Sequence, residues 1–298
     1  MSVNPAATIA RLAWLAALAL CSPGSPRAAP ALANALEVRM PAWVARDGVR
    51  TPLAAGASLL AGDQLITGDD ARVVLRLAEG SELRIGEDAT VELSTSEARS
   101  GDEAFSKQAG IAVLQGAFRL TSAPSGAKRR DIGIRLSSMT IDASAADVWG
   151  KSAADGEIVC LVEGQLGIAP ANGAPVRIDQ PLGFYLVTRD AAPPRQAETD
   201  LGQLALWTAE TSVKPGSGVQ VAGGRWKLNL LLAANQLTAF NGYQKLRQQG
   251  YAVEFFPAGT PQHRLYQVTL SGLASEADAQ ALVVQFAKWP ELTPEVVR

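Results

Sequence analysis

The sequence has 298 residues, 47% hydrophobic and 19% charged, which is enough for two folded domains and too apolar for a disordered chain. Its 27 basic and 29 acidic residues give a net charge of −2, and its longest basic cluster is Lys128-Arg129-Arg130, which excludes a chain built to neutralise a run of phosphates. One histidine and two cysteines leave little for a metal centre, a disulfide framework or a histidine-dependent triad.

The first thirty-odd residues read as a targeting signal. Arg11 supplies the positive start, and Leu12–Cys21 is an apolar run shorter than the ~20 residues a bilayer span needs. Ser22-Pro23-Gly24-Ser25-Pro26 breaks that run, and Ala31-Leu32-Ala33 is an A-x-A cleavage pattern, with Ala33-Asn34-Ala35 as a second candidate. Cleavage is expected after Ala33, so residues 1–33 are a signal peptide and the mature chain is periplasmic. That mature chain carries a net charge of −4, from 25 basic and 29 acidic residues. The alternative is a lipoprotein acylated on Cys21, although Leu20 stands where a small residue is expected. No later stretch is long and apolar enough for a membrane span. Cys160, within Ile158–Val162, reads as a small core hydrophobe of a buried strand rather than a nucleophile.

Residues 36–190 carry short apolar runs with turn residues between them. Gly62-Asp63 divides Leu59–Ile66. Leu75 and Leu77, then Leu83 and Ile85, alternate with polar residues across Glu79-Gly80-Ser81. Similar units recur at Ile111–Leu120, Ile132–Leu136, Met139–Ala143, Glu157–Val162, Gln165–Ala169 and Phe184–Thr188. The pattern predicts an all-β domain, a sandwich or rolled sheet, closed by a helix in 191–210 whose periodicity spans Glu198–Glu210. Glycines and prolines in 211–224 predict a linker.

The last part, 225–298, changes character. Trp226–Leu232 predicts a strand, and Asn235 caps a helix with Leu237, Phe240, Tyr243 and Leu246 every three residues, ended by Gly250. Tyr251–Phe256 is a strand closed by Pro257, and Leu265–Leu270 another that leaves through Ser271-Gly272. Ser275 and Asp278 resemble a capping box for a helix lined by Ala279, Leu282, Phe286 and Trp289 and stopped by Pro290. Glu295-Val296-Val297 gives a final strand. The order β-α-β-β-α-β predicts an α+β, ferredoxin-like domain with an open sheet face.

Two resemblances follow from these residues. Trp226-Lys227-Leu228-Asn229-Leu230, Gln249-Gly250-Tyr251, Tyr266–Leu273 and Ser275-Glu276-Ala277-Asp278-Ala279 make residues 225–298 similar to a SPOR domain. Gly62-Asp63-Gln64-Leu65-Ile66-Thr67-Gly68, Ala71, Gly80–Ile85, Ala89–Leu93, Leu114-Gln115-Gly116 and Val162–Leu166 make roughly 40–190 resemble a FecR-type domain. Val148–Ser152 stands where that family usually has an Arg-Gly-Thr-like turn. The chain lacks the cytoplasmic segment and membrane helix of the sigma-factor regulators that gave the family its name, so their mechanism does not transfer.

The SPOR resemblance implies binding to denuded peptidoglycan glycan strands, which accumulate where amidases work at division septa. The family's ligand positions fall on Asn229, where Gln is usual, on Leu232, where a small polar residue is common, on Leu265 and Gln267, where an aromatic and a basic residue are usual, and on Val296. The expected function is a non-catalytic envelope protein that binds peptidoglycan and presents its β domain to another envelope protein. The alternative is a periplasmic interaction or signalling scaffold whose SPOR-like domain no longer binds glycan. No cofactor, metal, catalytic residue or nucleic acid is expected. His263 lies in a polar loop, and Asp69-Asp70 and Glu276/Asp278 fall in turns or at a helix start, where acids are favoured anyway.

Overall fold

The computed structural model describes residues 30–98, 106–122, 132–143, 145–190, 192–260 and 262–298. Most of the expected targeting signal and the cluster Lys128-Arg129-Arg130 lie outside the described residues.

The strands run Ala33–Arg39 (β1), Ala42–Arg46 (β2), Val49–Pro52 (β3), Ser58–Leu59 (β4), Gln64–Thr67 (β5), Arg72–Leu77 (β6), Glu82–Ile85 (β7) and Thr90–Ala98 (β8). They continue with Ser106–Thr121 (β9), Gly133–Arg135 (β10), Met139–Asp142 (β11), Asp147–Ser152 (β12), Gly156–Glu163 (β13), Leu166–Pro170 (β14), Val176–Ile178 (β15), Gly183–Thr188 (β16) and Arg195–Glu198 (β17). After helix Leu201–Ala209 (α1) come Val219–Val221 (β18), Trp226–Ala233 (β19), Gln236–Gln248 (α2), Val253–Thr260 (β20), His263–Leu273 (β21), Glu276–Phe286 (α3) and Glu295–Val297 (β22).

The first seventeen strands form two sheets around one core. One sheet has the order β17-β16-β13-β12-β9-β7-β6-β1-β4. The other has the order β3-β2-β5-β8-β9-β10-β11-β14-β15. The long β9 belongs to both, because it turns from one sheet into the other at Gly116. Period-two patterning places Ala35, Leu75, Leu83, Leu120, Val148 and Leu161 opposite one another across six neighbouring strands. All six are buried, and each large member is worth about 1.5–3 kcal/mol on leaving water. A smaller cluster on the other side of β12 and β13 packs under α1, where the Trp149 and Trp207 rings stack at 5.0 Å.

Two sequence expectations change here, and Val148–Ser152, which stands in place of the family's turn, forms the central strand β12, hydrogen-bonded on both sides. The segment 211–224 is not a free linker. It contains β18, which pairs with β1 through Glu37↔Val221, Val38↔Gln220 and Arg39↔Val219, and with β21 at Gln220↔Leu273. The expected boundary after Ala33 falls inside the fold: Ala33 is buried and pairs with Leu77, and the Leu32 carbonyl accepts the Ala78 N–H. Cleavage after Ala33 or Ala35 would remove core residues.

The C-terminal elements run β-α-β-β-α-β in an antiparallel sheet of order β22-β19-β21-β20. Leu228, Val253, Val268 and Leu270 of the sheet are buried together with Leu246 of α2 and Leu282 and Phe286 of α3. Asn235 and Ser275 cap the two helices through their side chains. Gly250 follows α2 with φ +84°, against Trp43 and Pro41 of the β unit, where a side chain has no room.

Candidate functional site

The sheet face turned away from α2 and α3 is set by register. On β21, Leu265, Gln267 and Thr269 alternate with Tyr266, Val268 and Leu270; Val268 and Leu270 are buried under the helices. On β19, Asn229 pairs with Thr269 and Leu232 with Gln267. Those two β19 residues lie three apart, so regular alternation would put them on opposite faces; an extra residue between Asn229 and Leu231 restores the match. Four of the five sequence-predicted residues, Asn229, Leu232, Leu265 and Gln267, therefore share this face. Val296 does not. It pairs with buried Leu228 and packs against the core.

Asn229 Oδ1 accepts from the Thr269 hydroxyl at 3.0 Å, which orients the amide. Gln267 makes no side-chain hydrogen bond among the described residues and is half-buried. Leu232 is 54% exposed. Sequence reasoning placed Phe256 in a strand but not among the site residues, and it ended that strand at Pro257. The strand continues to Thr260 because it is a sheet edge, where the missing proline N–H costs nothing. Phe256 is 37% exposed and pairs directly with Gln267. Its neighbour Phe255 points the other way, packing on Phe240, Tyr243 and Tyr266. The alternation Glu254, Phe256 was the available signal.

The charged groups of the face are Lys227, Glu254 and Glu295, with His263 at the far hairpin. Glu254 accepts from the Ser271 hydroxyl at 3.0 Å.

Two buried carboxylates outside this face, Asp63 and Glu157, are held by structural partners. Asp63 is buried, and burial works to raise its pKa. Hydrogen bonds from Arg46 at 2.7 Å and from the Leu60 N–H outweigh that and hold the carboxyl below its usual range. Burial likewise opposes the charge on Glu157, but donors from Ser137 and Ser138 prevail and lower its pKa. Burial pushes the Cys160 thiol up to about 11, which removes it as a thiolate nucleophile. A concave region near Glu87, Lys151, Arg189 and Glu210 holds mixed charge, and Lys151 pairs with Glu210 at 2.7 Å. Among the described residues no group of three or more His, Cys, Asp or Glu side chains is arranged to hold a metal ion. No described helix is long and apolar enough to cross a membrane.

Residues 63–166 match the FecR protein family, from Asp63 before β5 to the start of β14. The match is narrower than the 40–190 resemblance, and no SPOR match accompanies it. Two crystal structures of a candidate anti-sigma factor from Parabacteroides distasonis ATCC 8503 are similar at 9% and 11% identity, with TM-scores of 0.40 and 0.39. They cover 75% of this chain and 90% and 91% of their own. No curated protein matches the chain.

Proposed function

We propose that this chain is a non-catalytic protein of the bacterial envelope whose C-terminal unit binds peptidoglycan glycan strands and whose FecR-type β unit engages another envelope protein. The observation that carries this reading is the convergence of Asn229 and Gln267 on one accessible sheet face, flanked by Leu232 and Leu265. Amides answer sugar hydroxyls and acetamides, and apolar side chains answer the C–H faces of the rings. The 4-1-3-2 strand order supports the ferredoxin-like, SPOR-type assignment. The reading places the protein in the periplasm, with export processing, or acylation at Cys21, upstream of the buried Leu32. It has no cofactor.

The test is co-sedimentation of the full chain with isolated sacculi. Binding that rises after amidase treatment and falls with Asn229→Ala supports glycan recognition through this face. Absence of sedimentation with both preparations contradicts it.

A second reading, an interaction or signalling scaffold without glycan affinity, is favoured by two observations. Asn229 Oδ1 is already engaged by Thr269, and Val296 faces inward. Under this reading sedimentation stays at background while the β unit still captures its partner.

A further inference from the structure

We propose that Phe256 is the ring-stacking residue of this face, and that a sugar strand lies across the β-strands rather than along them. The proposal rests on the glycan reading and adds the contact and the direction.

Phe256 on β20 faces Gln267 on β21, and Leu232 on β19 faces Gln267 from the other side. The three side chains make one row perpendicular to the strands, apolar, amide, apolar. With neighbouring strands about 4.8 Å apart, the row spans about 10 Å. A pyranose offers C–H groups on its faces and polar groups around its rim. The row meets the first with an aromatic ring and an aliphatic side chain, and the second with an amide that has no internal partner.

The aromatic packing under α2 does not account for Phe256, which is 37% exposed on the opposite face. The aromatic cluster under α2 uses Phe255, Phe240, Tyr243 and Tyr266, and Phe256 is turned away from it. A partly exposed aromatic ring beside an amide with no internal partner is the composition of a ligand surface. The charges fit the same ligand. Lys227, Glu254 and Glu295 stand in or beside the next row, with Asn229 and Thr269, and His263 is at the hairpin beyond Leu265. The centre of the Phe256 row is uncharged, so a sugar strand suits it better than a nucleic acid or a charged peptide.

The experiment measures binding of soluble, amidase-released glycan strands to the full chain and to Phe256→Ala, Phe256→Trp and Asn229→Ala. Phe256→Ala is expected to weaken binding at least about tenfold, the ratio that corresponds to 1.4 kcal/mol, with an unchanged melting temperature. Phe256→Trp is expected to keep or tighten binding, and its indole emission should change on saturation. If Phe256→Ala binds as tightly as the unsubstituted chain while Asn229→Ala loses affinity, or if Phe256→Trp saturates with glycan without a change in its indole emission, the stacking role is overturned and the glycan reading stands. If the unsubstituted chain binds no glycan, or if the face takes only a protein, both are overturned.

Discussion

Glu157 accepts hydrogen bonds from the backbone N–H and hydroxyl of both Ser137 and Ser138, and from the Ser152 hydroxyl, at a site only 2% exposed. These donors are neutral, so the carboxylate is held by hydrogen bonding alone. Glu157→Ala strands several buried donors and should cost about 2–4 kcal/mol in a urea denaturation series. The pH dependence has a definite sign. The folded pKa lies below the unfolded one, so the stabilisation is complete above the unfolded carboxylate range, about pH 4. It is lost as pH falls through the lower, folded value. Glu157→Gln should flatten that part of the stability–pH curve, and an unchanged acid limb would refute the assignment. Gly116 makes a different kind of demand. Its φ is +94°, and a Cβ there would overlap Ala89, at the point where β9 crosses between sheets. Gly116→Ala should destabilise by about 2 kcal/mol or more, read from the same denaturation series.

At the scale of elements, β18 decides how the two units are joined. Asp278 of α3, 1% exposed, accepts the N–H groups of Gly218 at 3.1 Å and Val219 at 3.0 Å. Gln220 takes the Ala55 N–H at 2.8 Å and donates to the Ser271 carbonyl at 2.6 Å, so one side chain spans both units. Asp278→Ala should speed amide exchange at Gly218 and Val219 far more than at Leu75 or Leu120, whereas uniform acceleration would mean that β18 is no local latch. This latch was not legible in the sequence. The glycines and prolines of 211–224 give a linker composition, while strand formation at Val219–Val221 depends on partners more than fifty residues away in β1 and β21. Asp278 was read as half of a capping box; Ser275 does cap α3, but the Asp278 carboxylate reaches across to β18. Glu82–Ile85, with clean alternation, was legible because one face is buried, and Leu75 and Leu77 of Arg72–Leu77 carried the same signal. β12 was not, since Trp149-Gly150-Lys151 interrupts alternation and Trp149 is buried under α1 on the outer side of its sheet. For the site, Asn229 and Gln267 came from the SPOR resemblance alone. The irregularity at Leu230 and the continuation of β20 through Pro257, which decide what stands beside them, are features of pairing and not of local pattern.

At the scale of the molecule, one buried cluster runs from Leu32 and Val38 through Leu161 to Leu228 and Phe286, and β18 joins the two units by hydrogen bonds to both. Units sharing a core and a strand unfold together, so calorimetry of the full chain should give one transition, while two separated transitions would show independent domains. The same coupling fixes the C-terminal sheet relative to the β unit, so a glycan strand held on that sheet would set where the β unit stands. The most direct test of that claim is a nuclear magnetic resonance titration of the full chain with denuded glycan strands. Shifts are predicted at the side-chain amides of Asn229 and Gln267, the Leu232 methyls and the Phe256 ring, with α1 and the β14–β15 hairpin unmoved. Shifts confined to the β unit, or none at saturating glycan, would contradict the account.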